Sequence, residues 1–288
     1  MTTLAILGVG KVGGEVAFLA ALQGVADELI LIDIAEPCLE AQVLDLEHAM
    51  PDLPISTDPA RVGEADICVF TAGTPRNPTI RTRTDLLTTN MPCAQKCADY
   101  MDGFDGVLVT VGNPMDLMNH YLWRLTGLPR ERCVGFGGQL DSARFSVHLK
   151  SKGITGDAWV LGEHGEHQVP LFSRLAQCVE IPARDQILEH LRGSSMEVIR
   201  GKGATVFGPA AHIVRLIRSI ARNEGVLLPC SCLVEGEYGL HGCSIGVPAW
   251  IGEKGICSIE LWDLDPWEAE RMQEAGRFLA DLTMRAHV

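Results

Sequence analysis

Leu4-Ala5-Ile6-Leu7-Gly8-Val9-Gly10-Lys11-Val12-Gly13 is an apolar run of strand length that ends in a G-x-G-x-x-G turn and opens into a helical pattern at about Lys11. Glycines at this spacing let a chain turn tightly and bring its backbone up to a pyrophosphate at a helix N-terminus. Gly8, Gly10 and Gly13 are therefore candidate dinucleotide-binding residues. Asp33 closes the next apolar run, Glu28 to Ile32, at a distance from Gly13 that lets its carboxylate accept hydrogen bonds from the adenosine ribose hydroxyls. The same carboxylate would repel a 2'-phosphate, and Ile34 and Ala35 supply no cation to offset the repulsion, so NAD rather than NADP is expected. A glycine turn with a chance aspartate is the bland alternative, and the flanking strands weigh against it.

Working outward, apolar runs continue to alternate with helical periodicity. A helix is predicted from about Glu36, a strand at Asp66 to Thr71, another at Val107 to Val111, a helix around Leu117 to Leu125 and a strand at Arg132 to Phe136. Strands that are apolar throughout belong to a parallel sheet covered on both faces, so the fold class is α/β, a Rossmann-type doubly wound parallel sheet. After Gly135-Phe136-Gly137-Gly138 the rhythm changes. A helix is expected from about Gln139 to Lys150, a strand ending near Leu161, a long helical region from about Ser194 to Asn223, and short strands near Leu228 to Val234, Val247 to Ile251 and Ile256 to Trp262. A last helix starts at Pro266. This half reads as α+β, placing a dinucleotide-binding domain over residues 1–138 and a substrate domain over 139–288.

Bulk properties narrow the function. The chain has 288 residues, 47% hydrophobic and 21% charged, and needs no disulfide or metal to hold a core of that size. A net charge of -13 argues against a nucleic-acid or anionic-membrane partner, since both require a basic face. The N-terminus shows no basic leader and no stretch of 18 apolar residues occurs, so a cytoplasmic location is expected. The ten cysteines are scattered, and several (Cys68, Cys133, Cys257) fall in apolar runs like small core residues. Cys93 with Cys97, and Cys230 with Cys232, share faces but have no further partners at metal-ligand spacing, so no metal site is expected.

Three features could carry acid-base chemistry. His164 lies in Leu161-Gly162-Glu163-His164-Gly165-Glu166, where flanking glycines suggest an imidazole exposed on a loop. Asp141 and Arg144, three residues apart on a predicted helix, share a face, and could be an intrahelical ion pair or could point a carboxylate and a guanidinium into one cleft. Thr71 to Asn90 is a long, proline-broken connection containing Arg76, Arg81 and Arg83, a concentration of cations that in an acidic protein suits an anion. Together these residues meet the needs of carbonyl reduction: an imidazole to give or take a proton, a carboxylate to orient it and an Arg fork for a substrate carboxylate.

The ordered set GVGKVG at 8–13, TAGTPR at 71–76, RTDLL at 83–87, VGNPMD at 111–116, GGQLDSARF at 137–145 and LGEHGEHQVP at 161–170 resembles the lactate/malate dehydrogenase family, with further matches in GPAA, EGEYG and GVP. The resemblance implies an NAD-dependent oxidoreductase in which His164 is the acid/base, Asp141 its partner, Arg144 the binder of the C1 carboxylate and Arg83 the loop residue that polarises the reacting carbonyl. It implies that Asn113 lies near nicotinamide ribose and substrate, with Asn113-Pro114 cis, that Asn90 also meets the cofactor, and that Thr205 lines the substrate pocket. Arg76 resembles the specificity residue that pairs with the second carboxylate of oxaloacetate, so a small dicarboxylate is the expected substrate. A buried Arg facing the methyl of pyruvate would lack its counter-ion. Arg81 is a rival to Arg83, since the Arg76 to Arg83 spacing looks one residue long. A lactate or other 2-hydroxy-acid dehydrogenase, and a catalytically idle NAD-binding sensor, are the alternatives. The resemblance also implies a homotetramer or homodimer.

Overall fold

A computed structural model describes residues 1–74 and 82–286. In the first half the apolar runs form strands and the periodic stretches form helices: β1 (Thr3–Leu7), α1 (Lys11–Leu22), β2 (Glu28–Ile32), α2 (Glu36–Ala49), β3 (Ile55–Ser56), β4 (Ile67–Phe70), α3 (Arg83–Asp99), β5 (Val107–Thr110), α4 (Met115–Thr126) and β6 (Cys133–Gly135). Pairing is parallel throughout, in the order β3-β2-β1-β4-β5-β6, which is the doubly wound dinucleotide-binding order. Burial on both faces explains the uniformly apolar strands. All four residues of β4 and of β5 are buried, as are four of the five in β1 and in β2.

The second half adds α5 (Gly138–Ser151), β7 (Val160–Gly162), β8 (Gln168–Pro170), α6 (Ile181–Lys202), α7 (Phe207–Ala221), β9 (Val226–Glu235), β10 (His241–Gly252), β11 (Gly255–Ile259) and α8 (Pro266–Arg285). Its strands pair antiparallel, and β9 joins β6 through Gly135 opposite Ser231, so one 11-stranded sheet runs through the described residues of both halves. β7 meets β10 where Gly162 faces Gly246, which brings the segment after β7 beside the carboxyl ends of the parallel strands. α7 packs against α1, and Arg222 reaches the carbonyls of Gln23 and Gly24.

Three expectations are corrected. The helical region expected from about Ser194 to Asn223 is two helices: α6 starts at Ile181, with a proline in its first turn, and stops at the left-handed Gly203 before α7 begins. The first half of α6 is missed by periodicity because only Ile187, Leu188 and Leu191 of its residues are buried. Cys257 is exposed rather than core-like, since it lies on β11 at the margin of the sheet. Strands β9 and β10 also run to 10 and 12 residues, longer than the short strands expected.

Ile6, fully buried in β1, lies between Leu31 of β2 and Val69 of β4. Ile6→Ala is expected to lower unfolding free energy by about 2–5 kcal/mol, read as a drop in the urea midpoint without a change in slope.

Candidate active site and dinucleotide cradle

The turn after β1 is held from three sides. Gly8 adopts φ +98°, and a Cβ there would sit 2.5 Å from the backbone of Ala72, so the chain can pass only as glycine. A Cβ on Gly13 would overlap the Gly8 carbonyl, which also accepts the Thr71 hydroxyl at 2.5 Å. Asp33 Oδ2 accepts the Val9 N–H at 2.8 Å and Gln42 Nε2 donates to the Val9 carbonyl at 3.1 Å.

This cradle fits a dinucleotide. α1 opens at Gly10 with no side-chain cap and no acidic residue in its first turn, leaving its first N–H groups and its positive dipole end for a pyrophosphate, while open space surrounds Gly10. Asp33 accepts one bond on each oxygen, from Val9 and from Ala35, and keeps a lone pair on each for ribose hydroxyls. Ile34 is 77% exposed beside it and offers a 2'-phosphate no cation. Asn90 is buried, and both its N–H groups are engaged: it donates to the carbonyls of Asn113 at 2.7 Å and Thr74 at 3.3 Å, and its oxygen accepts the Thr74 N–H at 2.8 Å. It therefore braces the loops after β4 and β5 to one another. Asn113 itself is exposed and precedes Pro114 through a cis bond, the geometry the sequence leads one to expect.

Across the carboxyl edge of the sheet, Asp141 in the first turn of α5 meets the loop after β7. His164 Nδ1 lies 2.6 Å from Asp141 Oδ2, and Arg144 Nη1 donates to Asp141 Oδ1 at 3.0 Å, so both readings of the Asp141/Arg144 spacing hold at once. The imidazole is 19% exposed rather than solvent-exposed. The glycine that matters is Gly137, across from it, where a Cβ would come within 2.6 Å of the ring. Burial pushes the Asp141 carboxyl up, but the charge and hydrogen bond of His164, joined by Arg144, outweigh it and hold the carboxyl below its ordinary range. Burial likewise pushes the His164 imidazole down, and Asp141, by charge and hydrogen bond, with Asp116, lifts it above the ordinary histidine value.

Arg83, at the start of α3, docks on the same loop. Its Nη2 lies 2.8 Å from Glu163 Oε1 and 3.2 Å from the His164 carbonyl. Glu163 is 2% exposed and also accepts the His167 N–H at 2.9 Å. Asp116 of α4 accepts the His164 N–H at 2.8 Å. Sequence reasoning assigned no role to Glu163 or Asp116, although both sit inside motifs that flag the site, LGEHGEHQVP and VGNPMD. Their charge inside otherwise buried segments was the available signal. Thr205 lies half-buried in the connection between α6 and α7, whose Gly203 approaches Lys11 of the glycine turn. Arg76 and Arg81 lie outside the described residues.

The fold and this constellation together define a dinucleotide-dependent oxidoreductase of the doubly wound α/β class. Residues 2–135 match the family description "lactate/malate dehydrogenase, NAD binding domain" and residues 138–284 match "lactate/malate dehydrogenase, alpha/beta C-terminal domain". The chain belongs to the lactate/malate dehydrogenase family. A malate dehydrogenase of Haloferax volcanii is 36% identical over 301 residues, covering 98% of each chain. An L-lactate dehydrogenase of Geobacillus sp. is 32% identical over 310 residues, covering 99% of this chain and 97% of the relative. Among solved structures, the malate dehydrogenase from Archaeoglobus fulgidus in complex with NADH superposes with a TM-score of 0.87 at 31% identity, covering 99% of this chain and 100% of that one.

Two measurements check this geometry. Gly13→Ala, with its Cβ driven into the Gly8 carbonyl, is expected to weaken NADH binding by about tenfold or more in a fluorescence titration, equivalent to ~1.4 kcal/mol, while circular dichroism shows a folded chain. In an NMR titration His164 is expected to titrate above 6.5 and Asp141→Asn to lower that value. The matching stability contributions have opposite signs. The part due to His164 is complete below about pH 6.5 and disappears as pH rises through its folded-state value. The part due to Asp141 is present above about pH 4 and disappears as pH falls through its folded-state value.

Proposed function

We propose that the chain catalyses reversible hydride transfer between NAD and (S)-malate/oxaloacetate, with His164 as acid/base. The observation that carries this reading is the 2.6 Å contact from His164 Nδ1 to the buried Asp141. It fixes the proton on Nδ1 and turns Nε2 toward the cleft, where in reduction a protonated ring gives its proton to the carbonyl oxygen and in oxidation a neutral ring takes it back. Asp141 then stabilises the imidazolium as it forms. Arg144 donates one N–H to Asp141 and keeps the rest of its planar fork for the substrate C1 carboxylate. Arg83 polarises the carbonyl, exchanging Glu163 for the substrate oxygen as it does so.

Gly8, Gly10 and Gly13 hold the pyrophosphate, Asp33 the adenosine ribose, and Asn113 faces nicotinamide ribose and substrate, with Asn90 bracing that loop. When bound, NAD supplies the hydride acceptor and NADH the donor. The dicarboxylate substrate rests on Arg76 in the sequence and on the malate dehydrogenase relative, the more identical of the two reported. Thr205 is assigned to the wall of the same pocket.

Residues 1–138 act as the dinucleotide-binding domain and 139–288 as the substrate domain, in keeping with the two family matches. Large apolar side chains exposed on several helices, Leu44, Val147, Ile199 and Phe207 among them, support assembly into a homodimer or homotetramer. All ten cysteines are free thiols, which fits the reducing environment of the cytoplasm. No helix among the described residues is long and apolar enough to cross a membrane.

NADH oxidation by the purified protein is expected to favour oxaloacetate over pyruvate by orders of magnitude in kcat/KM, and Arg76→Gln to erode that preference. A preference for pyruvate or a branched 2-oxo acid would replace malate with another 2-hydroxy acid. Inactivity with every 2-oxo acid would leave only an NAD-binding role.

A further inference from the structure

Asp116 has no part in the roles assigned above, yet it is bound to His164 as directly as Asp141 is. It lies in the first turn of α4, is 3% exposed, and accepts the His164 main-chain N–H on Oδ2 at 2.8 Å. Its other oxygen, Oδ1, accepts the Ser231 hydroxyl at 2.6 Å. Beyond Ser231 the chain continues: Ser244 Oγ lies 2.9 Å from Ser231 Oγ, and Asn119 Nδ2 donates to Ser244 Oγ at 2.8 Å.

This series has a direction. The Ser231 hydroxyl gives its proton to Asp116 and Asn119 Nδ2 donates to Ser244, so it is the Ser244 hydroxyl proton that bridges to Ser231. Every donor points toward the carboxylate. A proton on Oδ1 would force Ser231 to turn around and leave the Ser244 hydroxyl proton with no acceptor in the series. A proton on Oδ2 would face the His164 N–H. Both oxygens of Asp116 are thus set as acceptors, the arrangement of an ionised carboxylate held from α4, β9 and β10 at once.

We propose, on the acid/base reading of His164 given above, that Asp116 is a positioning residue for that histidine: it fixes the His164 main chain and places a second carboxylate, besides Asp141, against the imidazole loop. His164 is then faced by Asp141 and Arg144 from α5, by Arg83 from α3 at its carbonyl, by Glu163 within its own loop and by Asp116 from α4. Asp116 in turn is faced by Glu163, by the Ser231 hydroxyl and by the Cys243 thiol of β10. Burial, then Glu163, push the Asp116 carboxyl up to about 6, against the hydrogen bonds from Ser231 and His164. Its negative charge is therefore present through the neutral range and fades below about pH 6. While present, it helps hold the proton on His164.

The test is an NMR titration of the His164 imidazole in the unliganded protein, assigned by loss of its signal in His164→Gln. Asp116→Asn keeps a carbonyl for the His164 N–H, removes the charge and places an NH2 where Oδ1 accepted the Ser231 hydroxyl, so that Ser231 must turn to accept from it. It is expected to lower the His164 value by roughly half to one pH unit. The corresponding ionisation in kcat/KM should move by the same amount, so that reduction fails at lower pH. Ser231→Ala, which leaves the carboxylate but removes a donor that keeps it ionised, is expected to give a smaller shift in the same direction. It carries the test should Asp116→Asn not fold. A folded variant with reduced kcat and an unmoved His164 titration, while His164→Gln is inactive, overturns this inference alone. Full activity in His164→Gln overturns the acid/base reading and this inference with it.

Discussion

A carboxylate that is 2% exposed and nevertheless ionised sets the terms for everything around it. Asp141 is stable as an anion only because a ring N–H and a guanidinium N–H reach its two oxygens, one each. The guanidinium comes cheaply, one turn along the same helix. The imidazole does not, because it belongs to a loop 23 residues further on, and the chain must bring that loop to the start of α5 and keep it there. Much of the second half serves this placement. β7 ends at Gly162 opposite Gly246 of β10, Gly137 leaves room for the ring, and Asp116 holds the main chain of His164 from α4.

The sheet supplies the common frame. β6 ends the parallel series at Gly135 and pairs there with Ser231 of β9, and Ser231 is also the residue whose hydroxyl reaches Asp116. A single position thus joins the two kinds of sheet and feeds the buried polar series beneath the site. The glycine turn after β1 and the start of α5 after β6 both lie at carboxyl ends of parallel strands, the edge at which open α/β sheets bind ligands. The glycine turn and the His164–Asp141 pair use the same edge, although Gly8 and His164 are far apart in sequence.

What could be read from the sequence divides along physical lines. Strand-turn-helix units such as Leu4 to Gly13 were legible because each carries its own local signals: a continuous apolar run, glycines where a side chain would collide, and a helix period. Asp141 and Arg144 were legible as a pair because helical spacing alone puts them on one face. The start of α6 was not, since its exposed polar turns lack the apolar stripe that periodicity detects. His164 looked exposed because glycines flank it, but the ring packs against Gly137, where a side chain would collide with it and which no local pattern connects to it. The contacts of Glu163 with Arg83 and of Asp116 with Ser231 span 80 and 115 residues, and only the fold brings such partners together.

The balance of charge explains how a protein of net charge -13 can receive an anionic substrate. In the described part of the site, Glu163 pairs with Arg83, Asp141 pairs with Arg144 and Asp116 adds a third carboxylate at the His164 main chain, so with His164 neutral the carboxylates outnumber the guanidiniums. Yet neither arginine is exhausted. Each shows one terminal nitrogen on its carboxylate, and a guanidinium has five N–H groups in a rigid fork. The carboxylates therefore hold the arginines in place while each engages only part of its guanidinium, so that the remaining donors are fixed in position instead of belonging to mobile side chains. The excess negative charge then acts on the imidazole as well as on Asp116. By favouring the protonated imidazole it compensates part of the charge that an incoming anion adds.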